Sequence, residues 1–156
     1  MASPPAFTTD ELRALPPRHH TDTHVRFQDV DAAGTIFYPR LFELFADVWG
    51  ALLRHRGLDL PAHFREGTWA APITHAEADY RRALRFGDPL RVCIVGSRLG
   101  ESSFRLGYRV EHPEDPSHVY ATGQTVHVAV DRAAFRPIPL PNALLKVLEG
   151  TYSATP

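Results

Sequence analysis

The chain has 156 residues, 44% of them hydrophobic and 22% charged, which suits one soluble globular domain with a core that needs no disulfide or metal staple. Its 17 Lys and Arg against 18 Asp and Glu give a formal net charge of -1, so no long-range field gathers nucleic acid or an anionic membrane. The lone cysteine, Cys93, excludes an intramolecular disulfide, and no run reaches the roughly 18 apolar residues of a spanning helix.

Residues 1–20 read as an arm with prolines at Pro4, Pro5, Pro16 and Pro17, broken by one helical turn near Thr9–Leu15. They lack a basic segment followed by an apolar core, so the expectation is a cytoplasmic protein. A strand is predicted over Thr21–Gln28, with Val25 and Phe27 on one face. A polar loop, Asp29 to Gly34, follows. Apolar residues then recur at helical spacing from Leu41 to Leu53, which predicts a largely surrounded helix over Pro39–Arg56, stopped at Gly57. Beyond Thr68 the pattern is sheet: Trp69–Leu84, Leu90–Leu99, Ser102–Glu111 and His118–Val130, with turns at 85–89, 100–101 and 112–117. A short helix over Asn142–Glu149 closes the domain, and 151–156 read as a tail. One strand, one long apolar helix and four antiparallel strands predict an α+β domain, 21–150, in which the sheet wraps the helix. A sheet of that kind leaves an edge or face for a second copy.

The segment Phe27-Gln-Asp29-Val-Asp31-Ala-Ala-Gly34-Thr-Ile-Phe-Tyr38-Pro39 sets two carboxylates and a glycine just before that helix. Unpaired N–H groups and the helix dipole there favour a developing oxyanion, and a nearby carboxylate could attack a carbonyl or activate water. Gly34 would allow a ligand close to the backbone. The residues alone equally allow Asp29 and Asp31 to be turn or helix caps.

The Asp29-x-Asp31-x-x-Gly34 pattern followed by Tyr38-Pro39 resembles the 4-hydroxybenzoyl-CoA thioesterase branch of the hotdog superfamily over roughly Thr21–Glu149. The resemblance implies a single hotdog domain that hydrolyses an acyl-CoA. It makes Asp31 the catalytic carboxylate and the Tyr38 N–H the group that polarises the thioester carbonyl, with Asp29 structuring the loop. No cofactor is implied, because coenzyme A belongs to the substrate. Ala71-Pro72-Ile-Thr-His75 through Phe86-Gly-Asp88, with Gln124-Thr-Val-His127-Val, is similar to 1,4-dihydroxy-2-naphthoyl-CoA hydrolases of the cyanobacterial type. That points to an aromatic acyl group and quinone biosynthesis, with Gly34, Trp69 and His75 touching substrate in a homodimer or homotetramer. On the residues alone, His75 and Trp69 also read as packing. Arg136 matches an arginine that meets the CoA nucleotide, but the basic run expected near the second hairpin is replaced by Gly100-Glu-Ser-Ser103. Arg98 and Arg105 are nearby candidates that equally decorate a solvated strand face. A 4-hydroxybenzoyl or aliphatic acyl-CoA, a hotdog dehydratase and a non-catalytic acyl-binding domain remain the alternatives. The histidines lack a HExxH spacing, so no metal site is expected.

Overall fold

The computed structural model describes residues 2–153. In chain order these form α1 (Thr9–Ala14), β1 (His19–His24), a 3-10 turn (Phe27–Asp29), α2 (Arg40–His55), α3 (Leu60–Glu66), β2 (Trp69–Ala70), β3 (Ile73–Tyr80), β4 (Pro89–Leu99), β5 (Ser103–His112), β6 (Asp115–Val128), β7 (Val130–Asp131) and α4 (Asn142–Leu148). The main sheet is antiparallel with order β1-β4-β5-β6-β3, and β2 pairs with β7 beside it.

α2 presents Leu41, Leu44, Phe45, Val48 and Leu52 at three- and four-residue steps, and this stripe lies against the inner face of the sheet. Each such side chain contributes about 1.5–3 kcal/mol on burial. Phe45 stacks on Tyr108 of β5 at 4.3 Å between ring centroids. Gly123 of β6 makes that approach possible, since a Cβ there would stand 2.5 Å from the Phe45 ring. The helix is not surrounded as the breadth of its stripe suggested, because Glu43, Ala46 and Asp47 face outward. Pro39 sits at the N-cap rather than in the first turn, and Gly57 closes the other end at φ 84.

The N-terminal arm covers the outer face of the sheet. Thr8 and Glu11 form a capping box that starts α1, and Pro16 follows its end. Phe7 and Leu12 pack with Cys93 and Val95 in a second apolar cluster. Three arginines on that face hold the arm, through its backbone carbonyls and the Glu11 carboxylate. Arg98 reaches Ala6 and Glu11, Arg105 reaches Pro4, and Arg109 reaches Leu12, Arg13 and Leu15. Arg98 and Arg105 are therefore neither solvated decoration nor available to a ligand; both are buried. Further along, 151–153 bond to Ser97 of β4, so the start of the predicted tail is docked on the sheet. Residues 154–156 of that tail lie outside the described residues.

Local differences from the sequence pattern have local causes. Phe27 is 79% exposed in the 3-10 turn, so the strand ends before it. The predicted Trp69–Leu84 strand divides, since β2 pairs with β7 and β3 with β6. α3 was unanticipated, although Asp59 accepts the Ala62 N–H at 3.0 Å and Pro61 lies in its first turn.

Candidate active site

The loop entering α2 is built around Asp29. Its carboxylate accepts the Arg26 backbone N–H at 2.8 Å and both sides of the Arg26 guanidinium at 2.9 Å. Burial works to raise its pKa, but the Arg26 hydrogen bonds overcome that and hold it below the usual carboxylate range. The Asp29 carbonyl in turn accepts the Phe37 N–H at 2.7 Å, and Ile36 donates to Leu84 at 2.9 Å. Between these ties, Asp31 and Thr35 close a tight turn that Gly34 completes at φ 77.

Asp31 is exposed at this turn, with Oδ1 accepting the Ala33 N–H at 2.8 Å. Tyr38 follows one residue before Pro39, the N-cap of α2. Among the described residues nothing accepts the Tyr38 N–H. Its carbonyl accepts the Tyr80 hydroxyl, which reaches over from the last residue of β3. Tyr80 therefore positions the peptide unit that follows the Tyr38 N–H. The sequence offers Tyr80 as one of several aromatics that could line an acyl pocket; its bond to the Tyr38 carbonyl is a tertiary fact. Tyr80→Phe is expected to lower kcat severalfold with little change in melting temperature, as read by steady-state kinetics beside thermal unfolding. A loop that did not depend on this contact would leave kcat at the wild-type value.

Within one chain the remaining candidates stand apart from Asp31, Gly34 and Tyr38. Trp69 lines an apolar cavity of about 360 Å³ between α2 and α3, together with Trp49, Leu53, Leu58 and His63. Trp49 lies nine residues along α2 from Arg40, or about 13 Å by helical rise. His75 lies on β3, on the outer face with Glu77, to which it bonds at 3.0 Å. Arg136 is exposed in the turn after β7, and its guanidinium makes no ion pair or hydrogen bond among the described residues.

Behind Trp49 lies a buried polar chain. His127 Nε2 meets Thr125 at 3.0 Å and Nδ1 faces the Ala71 carbonyl at 3.2 Å, with the ring stacked on Phe104. Burial pushes this imidazole down from 6.5 to about 4, so it is neutral at pH 7. The unfolded chain takes up the proton first as pH falls. The contribution is therefore complete above about pH 6.5 and is lost progressively towards pH 4, amounting to about 3 kcal/mol. Urea midpoints measured between pH 7 and 4 are expected to fall less steeply in His127→Gln; identical slopes would remove His127 as the cause. Burial also pushes the Cys93 thiol up to about 12, which excludes it as a nucleophile. Among the described residues no group of His, Cys, Asp or Glu is placed to hold a metal ion, and no helix is long and apolar enough to cross a membrane.

Comparison with known proteins identifies the family and the fold. The model of the thioesterase-like superfamily matches residues 25–148. A 1,4-dihydroxy-2-naphthoyl-CoA hydrolase from Synechococcus elongatus is 34% identical over 128 residues, covering 81% of this chain and 92% of that protein. The protein of the same name from Rippkaea orientalis is 31% identical over 130 residues, covering 83% and 94%. Among solved structures, a 1,4-dihydroxy-2-naphthoyl-CoA thioesterase from Synechocystis superposes with a TM-score of 0.77 at 22% identity, covering 83% of this chain and 94% of that one. The helix laid against an antiparallel sheet, the loop that enters it and the match across most of the chain have one meaning: this protein belongs to the thioesterase-like superfamily and has the hotdog fold.

Proposed function

We propose that this protein hydrolyses 1,4-dihydroxy-2-naphthoyl-CoA to the naphthoate and free coenzyme A, with Asp31 and the Tyr38 N–H as its reacting groups. The observation that carries the reading is an exposed carboxylate and an unpartnered N–H on one loop at the start of α2. Relatives 34% and 31% identical that bear the name 1,4-dihydroxy-2-naphthoyl-CoA hydrolase support this acyl group. The thioester carbonyl accepts the Tyr38 N–H, where the first turn of α2 and its dipole favour negative charge. A donor so placed stabilises the transition state by roughly 2.7–4 kcal/mol. Asp31 then either adds to the carbonyl carbon, expelling the CoA thiolate and leaving a mixed anhydride that water cleaves, or takes a proton from a water that adds directly. Both routes end with the carboxylate restored, and neither requires a metal or a cofactor.

The site is open in one chain: Tyr38 is 65% exposed. β3 is an edge strand, with Ile73 54% exposed at its start. We take the assembly to be a dimer in which this edge pairs antiparallel with the same edge of a second copy. Antiparallel pairing sets the beginning of one β3, and the Trp69 cavity just before it, beside the Tyr80 end of the other. That gives the acyl group an aromatic pocket next to the reacting loop. A tetramer built through the outer sheet face is disfavoured here, because the arm occupies that face.

Thiol release from aryl- and alkyl-CoA thioesters, followed with a thiol-reactive chromophore, tests the reading. Fastest turnover of dihydroxynaphthoyl-CoA supports it. Preference for 4-hydroxybenzoyl-CoA or an aliphatic acyl-CoA keeps the mechanism and replaces the substrate. Hydrolysis of no thioester overturns it in favour of acyl binding or a hotdog dehydratase.

A further inference from the structure

An acyl-CoA enzyme must hold phosphates, and of the places first expected to do so only Arg136, a single exposed guanidinium, stays open. Ser102 and Ser103 beside the β4–β5 turn are buried, and Arg98 and Arg105 are committed to the arm. Uncommitted positive charge collects elsewhere. As β3 ends, the N–H groups of Arg81 and Arg82 both donate to the Tyr120 carbonyl, at 2.8 and 3.1 Å, which fixes this backbone beside β6. Both side chains are exposed, as is that of Arg13 on α1. None of the three guanidiniums makes an ion pair or hydrogen bond among the described residues, whereas Arg26, Arg91 and Arg109 are each paired with a carboxylate.

Two adjoining grooves share Arg81 and Arg82. One, of about 330 Å³, runs inward to Tyr38 and Tyr80. The other, of about 350 Å³, runs outward to Arg13 and Ser117. Together they make a track from the unpartnered Tyr38 N–H to three free guanidiniums. Guanidinium forks match phosphate oxygens in charge and geometry. We propose that Arg81 and Arg82, with Arg13 supplied by the arm, bind the phosphates of the substrate's coenzyme A, while the pantetheine chain lies along the inner groove. The inference rests on the reading of an acyl-CoA as substrate.

The test compares kcat/KM for an acyl-CoA with that for the same acyl group on pantetheine, which lacks the nucleotide. Wild type is expected to favour the CoA thioester. The ratio should fall roughly tenfold for each guanidinium removed in Arg81→Ala and Arg82→Ala, with partial recovery in Arg81→Lys. Calorimetry with adenosine 3′,5′-bisphosphate should show binding to wild type that the double variant loses, and raised salt should weaken it. An unchanged ratio, or bisphosphate binding that survives in the double variant, overturns the proposal. If wild type cleaves neither thioester, the acyl-CoA reading fails by itself. Bisphosphate binding then decides the cluster: binding lost in the double variant supports it, and no binding by wild type overturns it.

Discussion

Asp31→Asn is expected to lower kcat by roughly a hundred- to ten-thousand-fold while the melting temperature stays at the wild-type value. The asparagine has the shape of the aspartate, and its amide oxygen can still accept the Ala33 N–H that the carboxylate accepts at 2.8 Å. Asp31 is exposed and enters none of the ion pairs of the described residues, so its charge carries little of the fold. What the substitution removes is the nucleophile or base. Thiol release and thermal unfolding on the same preparation separate the two effects. Turnover within a few-fold of wild type would remove Asp31 from the mechanism. Asp29→Asn supplies the contrast. That carboxylate is buried and takes three hydrogen bonds from Arg26, so its loss should lower stability and activity together. Label from heavy-oxygen water found in Asp31 after one turnover would mark the anhydride route.

Much of this was legible in the chain itself because the signals were local. The three- and four-residue spacing of Leu41 to Leu53 fixed α2, and two carboxylates with a glycine before Tyr38-Pro39 marked the loop that enters it. The order of strands after Thr68 followed from alternation and turn residues, even where the boundaries moved. What was illegible depends on contacts between distant segments. Nothing near Phe7 or Leu12 announces that they cover β4 and β5. An arginine on a strand reads as solvated until carbonyls from another segment arrive to surround it, as they do at Arg98, Arg105 and Arg109. The Tyr80 bond to the Tyr38 carbonyl and the grouping of Arg81 with Arg82 appear only when β3 brings them beside the start of α2. His75, which the family resemblance set against the substrate, points by strand alternation to the face away from α2. Periodicity gives the face of a strand; which face meets the ligand is set by the assembly.

Glu111→Leu is expected to be the most destabilising single change on the outer face. Glu111 and Arg109 are both buried, with side chains 2% and 5% exposed, and they pair directly. Arg109 directs its Nη1 group at the carbonyls of Leu12, Arg13 and Leu15, so one guanidinium joins the sheet to the end of α1. Removing the carboxylate leaves a buried cation without its counter-charge, at a cost of about 3–5 kcal/mol. For a chain of this length that corresponds to a fall in melting temperature of roughly 10 °C. The physical route is specific. With Arg109 unbalanced, the cheapest relief is for α1 to lift and admit water to the guanidinium, which also uncovers Phe7 and Leu12. Hydrogen exchange should therefore quicken in the arm before it quickens in α2. The double change Glu111→Leu with Arg109→Leu removes both charges and should recover part of the lost stability, because an apolar pair in that volume carries no desolvation penalty. If the double variant is as unstable as the single one, the carbonyl bonds to α1 outweigh the ion pair. If Glu111→Leu melts with wild type, the pair contributes nothing to holding the arm. In either outcome kcat at saturating substrate should persist in the folded fraction, since the arm lies on the face of the sheet opposite α2; a lifted α1 that withdraws Arg13 would show in KM instead.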